Sequence, residues 1–140
     1  LQKQGKQVVP LDIELTEGKR ILIISGPNAG GKSVCLKTVG LLQYMLQCGL
    51  LIPLHERSRT GIFEHIFIDI GDEQSIENDL STYSSHLTNM KYFVKNCNER
   101  TIILIDEFGS GTEPQIGGAI AEALLDRFNR NHSFGVITTH

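Results

Sequence analysis

The sequence lacks an excess of basic charge: thirteen Lys and Arg stand against sixteen Asp and Glu, a formal net charge of −3. A segment with that balance is not the main surface that neutralises nucleic-acid phosphates, so contact with DNA or a ribosome is expected through regions outside it. No apolar run approaches the roughly 18 to 20 residues of a membrane span. Residues 1–10 are polar and basic without the apolar stretch of a signal peptide, which points to a cytoplasmic protein with no membrane partner. Only three cysteines occur, Cys35, Cys48 and Cys97, odd in number, widely spaced and set in apolar patterns. A disulfide framework or a zinc site is thereby disfavoured, and reduced core thiols are expected. Internal repeats, low-complexity tracts and interdomain linkers are also missing. What is there, 140 residues with 40% hydrophobic and 21% charged, suits one globular core, so 1–140 reads as a single domain or part of one. The chain opens on Leu1 and stops at "GVITTH" as a strand ends, which suggests a domain truncated at its C-terminal end.

Strands and helices alternate along the chain. Leu11 to Leu15 has a period of two, "TEGKR" turns, and Ile21 to Ser25 is a short β-branched run expected to be buried on both faces. From Lys32 to about Gln47, Val34, Leu36, Val39, Leu42, Met45 and Leu46 fit a mostly buried helix with Gly49 as its stop. "PLHERSRTG" is a surface loop, His65 to Ile70 a strand, and "GDEQSIEND" an acidic loop. A second helix is expected from near Ser81, with Leu87, Met90, Val94 and Cys97 inward, then an aliphatic strand over Thr101 to Ile105. A third helix begins around Pro114, with Ile116, Ile120, Leu124 and Phe128 on one face, and Ser133 to Thr138 is a last strand. The order predicts an α/β fold with a largely parallel central sheet flanked by helices.

The strongest chemical signal is "GPNAGGKS", Gly26 to Ser33, a G-x-x-x-x-G-K-[ST] pattern placed between a strand and a helix. Its glycines let backbone amides converge on phosphates, Lys32 reaches the β and γ phosphates, and the Ser33 hydroxyl suits magnesium. In "TIILIDEFGSGTEP" an aliphatic strand ends in Asp106 and Glu107, at the edge where parallel sheets place ligands. Asp106 suits a magnesium ion held through water, and Glu107 suits a base or a positioner of the attacking water.

The segment "LSTYSSH", residues 80 to 86, puts four serine and threonine hydroxyls, a tyrosine and a histidine at a helix start without a carboxylate among them. Two readings stay open on local chemistry: Ser81 as a plain N-cap, and an anion site able to receive a phosphate. His140 could contact a γ-phosphate and Gln74 a metal or water, whereas His55, His65 and His132 show no ligand spacing.

With these pieces in this order the chain resembles the ATPase domain of the MutS family, itself similar to the P-loop ATPases of ABC type. "GPNAGGKS" looks like its phosphate loop, "LSTYSSH" its signature segment, "LIDEFGSGT" its magnesium strand and D-loop, and "TTH" its switch histidine. "GLLIP", "DIGDEQSIENDLSTYSSHLTNM" and "DEFGSGTEPQIGGAIAEALL" resemble the MutS-II branch, associated with suppression of recombination and rescue of collided ribosomes. The resemblance implies ATP and magnesium as cofactors. It implies nucleotide binding by Gly26, Pro27, Asn28, Ala29, Gly30, Gly31, Lys32, Ser33 and Val34, and metal binding by Ser33 and Asp106. Lys32, Glu107 and His140 are implied to be catalytic, with Ser81 acting in trans in a homodimer that sandwiches two nucleotides. Gly109 to Thr112 would cross the same interface. Three alternatives remain: a mismatch-repair member of the family, a nucleotide-dependent dimerisation module without turnover, and a phosphotransferase acting on a small molecule.

Overall fold

The computed structural model describes residues 9–27, 31–71 and 79–139. Its elements run β1 (Ile21–Ser25), α1 (Lys32–Gln47), β2 (His65–Asp69), α2 (Asp79–Asn96), β3 (Thr101–Ile105), α3 (Pro114–Arg130) and β4 (Phe134–Thr139). The four strands form one parallel sheet in the order β1-β4-β3-β2. Every carboxyl end therefore points to the same edge of the sheet.

The period of two within β3 sorts its side chains between two cores. Ile103 and Ile105 face Met90, Phe93 and Cys97 from α2 and its end and Phe128 from α3. Ile102 and Leu104 face Leu36 of α1 on the other side. With helices covering both faces, all five residues of β3 are buried, which suits its unbroken β-branched and aliphatic composition. The α3 helix starts with Pro114 in its first turn, where the missing N–H costs nothing, and ends near Arg127 and Arg130, whose charge suits a helix C-terminus. The stop of α1 at Gly49 is made by a φ of 77° and an N–H donated to the Leu46 carbonyl.

Several sequence expectations are corrected. Leu11 to Leu15 forms no strand; its neighbourhood holds one isolated antiparallel bridge, Thr16 to Lys19, and among the described residues no second strand lies beside it. Leu15 still packs on the core. β1 is not buried on both faces: it pairs with β4 alone, at the edge of the sheet, and Ile23 is 50% exposed. In α1 the buried stripe is Lys32, Leu36, Gly40 and Gln43, while Val34 and Tyr44 face outward. Cys97 is buried as expected, but Cys35 is only half-buried and Cys48 is exposed beyond the last turn of α1. The α2 helix starts at Asp79, two residues before Ser81, so its first turn contains an aspartate and Ser81 is not the cap. The segment 72–78, including Gln74, lies outside the described residues.

Candidate functional site

The carboxyl end of β1 turns through Gly26, whose φ of 151° favours glycine, and the chain enters α1 through Gly31 in the left-handed region at φ 78°. Asn28, Ala29 and Gly30 lie outside the described residues. Lys32 is 6% exposed, and its Nζ donates to the Gly26 carbonyl, so the lysine spans the base of the loop. Ser33 is half-buried next to it, Pro27 is exposed, and Val34 points away into solvent. The first turn of α1 carries no acidic residue, which keeps the positive end of the helix uncompensated.

Two strands away on the same sheet edge, Asp106 follows β3 and is 6% exposed. Thr138 of β4 organises this end: its hydroxyl donates to Asp106 Oδ1 and accepts the Glu107 N–H at 2.9 Å. The Thr138 carbonyl accepts from the Phe108 N–H at 2.8 Å. Glu107 has a φ of 52°, in the left-handed region that a β-carbon disfavours, at a cost of about 1 kcal/mol or more. Such a conformation persists where surrounding bonds hold it, here through Thr138 and the Ser110 N–H on the Glu107 carbonyl. Beyond it, Gly109 and Gly111 also have positive φ values, 84° and 83°. Gly117 of α3 lies so close that an added Cβ would meet the Gly109 carbonyl oxygen at 2.2 Å. The turn after β3 is thus seated directly on the first turns of α3.

At the far edge, Asp69 closes β2 and is buried. Its Oδ2 accepts from His86 Nδ1 at 2.6 Å and its Oδ1 from Asn89 Nδ2 at 2.9 Å, both on α2. Its carbonyl accepts the Asp106 N–H at 2.9 Å. A cleft between α2, α3 and the turn after β3 is lined by Tyr83, His86, Met90, Asp106, Glu107 and Leu124, among others. The Tyr83 hydroxyl is buried there with no hydrogen-bond partner.

The structure brings Gly26, Gly31, Lys32, Ser33, Asp106 and Glu107 to one sheet edge, with Thr138 between the two groups. Ser81 is not among them: it lies in the first turn of α2, which packs on β2 and α3, across the sheet from α1. Its side chain and the whole of His140 are outside what is described. The donor set fits magnesium and phosphate, since a hydroxyl and a carboxylate are hard oxygen ligands and one Asp106 oxygen carries no protein partner among the described residues. Among the described residues no group of three or more His, Cys, Asp or Glu gathers as a metal site. The roles of Thr138, Asp69 and Asn89 escaped sequence reading. The one hint was a polar residue closing an otherwise aliphatic strand in "HIFID" and "GVITT".

Comparison with known proteins places the chain in a family. A profile for MutS domain V matches residues 22–140. Endonuclease MutS2 of Ligilactobacillus salivarius (strain UCC118) is 50% identical over 135 residues, which is 96% of this chain and 17% of that protein. Endonuclease MutS2 of Listeria monocytogenes serotype 4a (strain HCC23) is 52% identical over 134 residues, and the putative endonuclease MutS2 of Bacillus subtilis (strain 168) is 51% identical over 134. In each of those two cases the match covers 96% of this chain, and the chain spans only 17% of the length of the relative. With the profile covering most of its length and relatives at half identity, this chain belongs to the MutS family, as a domain V of the MutS2 branch.

Proposed function

We propose that this chain is the ATP-binding and hydrolysing part of a MutS-II type protein, a P-loop ATPase of ABC type working as a nucleotide-driven dimer switch. The observation that carries this is the alignment of two chemistry-bearing strand ends, Gly26 to Ser33 after β1 and Asp106 with Glu107 after β3, on one sheet edge. Neighbouring strands lie about 4.8 Å apart, so one intervening strand separates the two groups by roughly 10 Å, room for phosphates and a hydrated cation.

In this reading the loop from Gly26 to Val34, with Asn28, Ala29 and Gly30, cradles the phosphates through backbone N–H groups. Lys32 exchanges the Gly26 carbonyl for phosphate oxygens. Ser33 and Asp106 hold magnesium, which when bound offsets the charge on the phosphates. Thr138, by holding one Asp106 oxygen, aims the other. Glu107 orients the attacking water and takes up its proton, its side chain directed by the left-handed backbone that Thr138 holds. His140, the next residue in sequence after β4, contacts the γ-phosphate in this reading.

Ser81 lies on the α2 side, across the sheet from the phosphate loop of its own chain, which supports its acting on the nucleotide of a second copy. Two chains then sandwich two nucleotides, and hydrolysis gates their association by positioning and charge stabilisation. Regions outside this chain would turn that cycle into action on branched or recombining DNA or on collided ribosomes, in the cytoplasm; mismatched DNA is the alternative target. No helix among the described residues is long and apolar enough to cross a membrane.

The test is ATP turnover against protein concentration. Activity per chain that rises with concentration, and is lost in Ser81→Ala while nucleotide binding persists, is expected. Turnover that is unchanged in Ser81→Ala sinks the composite site. Nucleotide-dependent dimers with no turnover would leave a dimerisation module instead.

A further inference from the structure

The α2 helix is held in two different ways along its length. Its second half is anchored by apolar packing, with Met90 and Phe93 buried in the core beside Cys97. In its first half Ser84, Ser85, Leu87 and Thr88 are exposed. Among the described contacts of that half are Tyr83 lying against Gly111 and the polar pair His86 and Asn89, which reach the same carboxylate. Residues three apart share a helix face, so one buried Asp69 receives both.

Asp69 is the unusual member. A buried carboxylate is expensive unless it is paired and hydrogen-bonded, and a strand gains nothing from one for sheet formation. Here both oxygens are used, and both partners come from α2. A carboxylate only accepts, so His86 presents Nδ1–H to it and the ring is fixed in orientation. The same residue accepts the Asp106 N–H through its backbone carbonyl at 2.9 Å. Asp69 is therefore bonded to the candidate metal-binding residue on one side and to the helix that carries Ser81 on the other. Five residues separate Ser81 from His86, about 7.5 Å along a helix axis, so fixing His86 fixes Ser81.

We propose that Asp69, His86 and Asn89 form a polar joint that sets the position of the first half of α2 relative to Asp106, and that these are positioning residues for the trans action of Ser81. The inference rests on the composite ATPase reading for its catalytic consequence, but the joint itself does not depend on it. The phosphate loop lies at the opposite edge, three strands away, so loss of the joint leaves nucleotide binding intact.

Two measurements decide it. In amide hydrogen exchange without nucleotide, Asp69→Ala is expected to speed exchange of the amides of 83–89 and of Asp106 by about tenfold or more, with α1 unchanged. Equal acceleration in all helices, or none, overturns the joint. In steady-state kinetics, His86→Ala is expected to lower the concentration-dependent kcat by about tenfold with KM for ATP within about twofold. His86→Asn, whose Nδ2 stands where His86 has Nδ1, is expected to restore most of it. A raised KM at constant kcat, or no rescue by His86→Asn, overturns the positioning role. If the unmutated protein shows no concentration-dependent turnover, the composite reading fails and takes that role with it, while exchange still decides the joint.

Discussion

The two strands that carry the candidate chemistry, β1 and β3, belong to one sheet and are held differently. β3 sits inside, buried from Thr101 to Ile105, with an apolar core on each face and hydrogen-bonded neighbours on each side. β1 is an edge strand whose middle residue is half exposed, and the helix that follows it presents Val34, Leu41 and Tyr44 to solvent. The acidic end needs fixed geometry, since Asp106 and Glu107 are placed by side-chain and backbone bonds from two other strands. The loop after β1, in the proposed reading, would depend less on its surroundings, because backbone N–H groups within one contiguous glycine-containing run would hold the phosphates. Rigidity is concentrated where a side chain must be aimed.

The largest expected effect breaks the acidic end chemically: Glu107→Gln should lower ATP turnover by about 10² to 10⁴, the usual range for a general base, with nucleotide affinity nearly unchanged by titration calorimetry. Next come paired truncations that compare the strands directly. Leu104→Ala on β3 removes a fully buried side chain and should cost about 2 to 5 kcal/mol in urea unfolding. Ile23→Ala on β1 should cost about 1 kcal/mol or less, since half its surface already faces water. An effect between those two is expected from Thr138→Val, which removes the hydroxyl bonding Asp106 and Glu107 while keeping the shape, at about 1 to 3 kcal/mol. Equal losses from Leu104→Ala and Ile23→Ala would erase the contrast.

The smallest effect is kinetic and costs no stability. Alkylation at neutral pH should take Cys48 first, because it is exposed, and Cys97 last, because it is buried. Burial pushes the Cys35 thiol above its ordinary value. Less of it is then thiolate at neutral pH, and its labelling should accelerate only as pH rises past the range of a free thiol, which mass spectrometry of labelled peptides would follow.

Much of the fold was legible in the sequence, though not that β1 is half-exposed at an edge, and the parts that were not legible share a cause. The phosphate loop is one contiguous run, so turn residues, lysine and hydroxyl are all local and can be read together. The bounds of α1 and of β3 followed from periodicity and composition, and α3 from Pro114 onward. Which stripe of α1 is buried did not follow, because apolar residues lie nearly all round it and only the sheet decides that Leu36 goes in and Val34 out. Leu11 to Leu15 has the period of a strand, yet a strand exists only through a partner that periodicity does not supply. The link from Asp69 to His86 and Asn89 crosses the loop between β2 and α2, and that from Thr138 to Asp106 crosses α3. Long-range polar pairs of this kind leave almost no local trace.

β1 and β2 border the sheet among the described residues, and each offers a half-exposed aliphatic side chain, Ile23 and Ile68, beside a row of main-chain groups with no neighbouring strand on that side. Such borders are templates for growth: another extended segment can zip alongside and extend the sheet by one rung. Among the described residues these two borders are where such growth would start. Charged residues placed at Ile23 and Ile68 would blunt that growth, and the solubility of this chain should respond to them more than to changes on its helices.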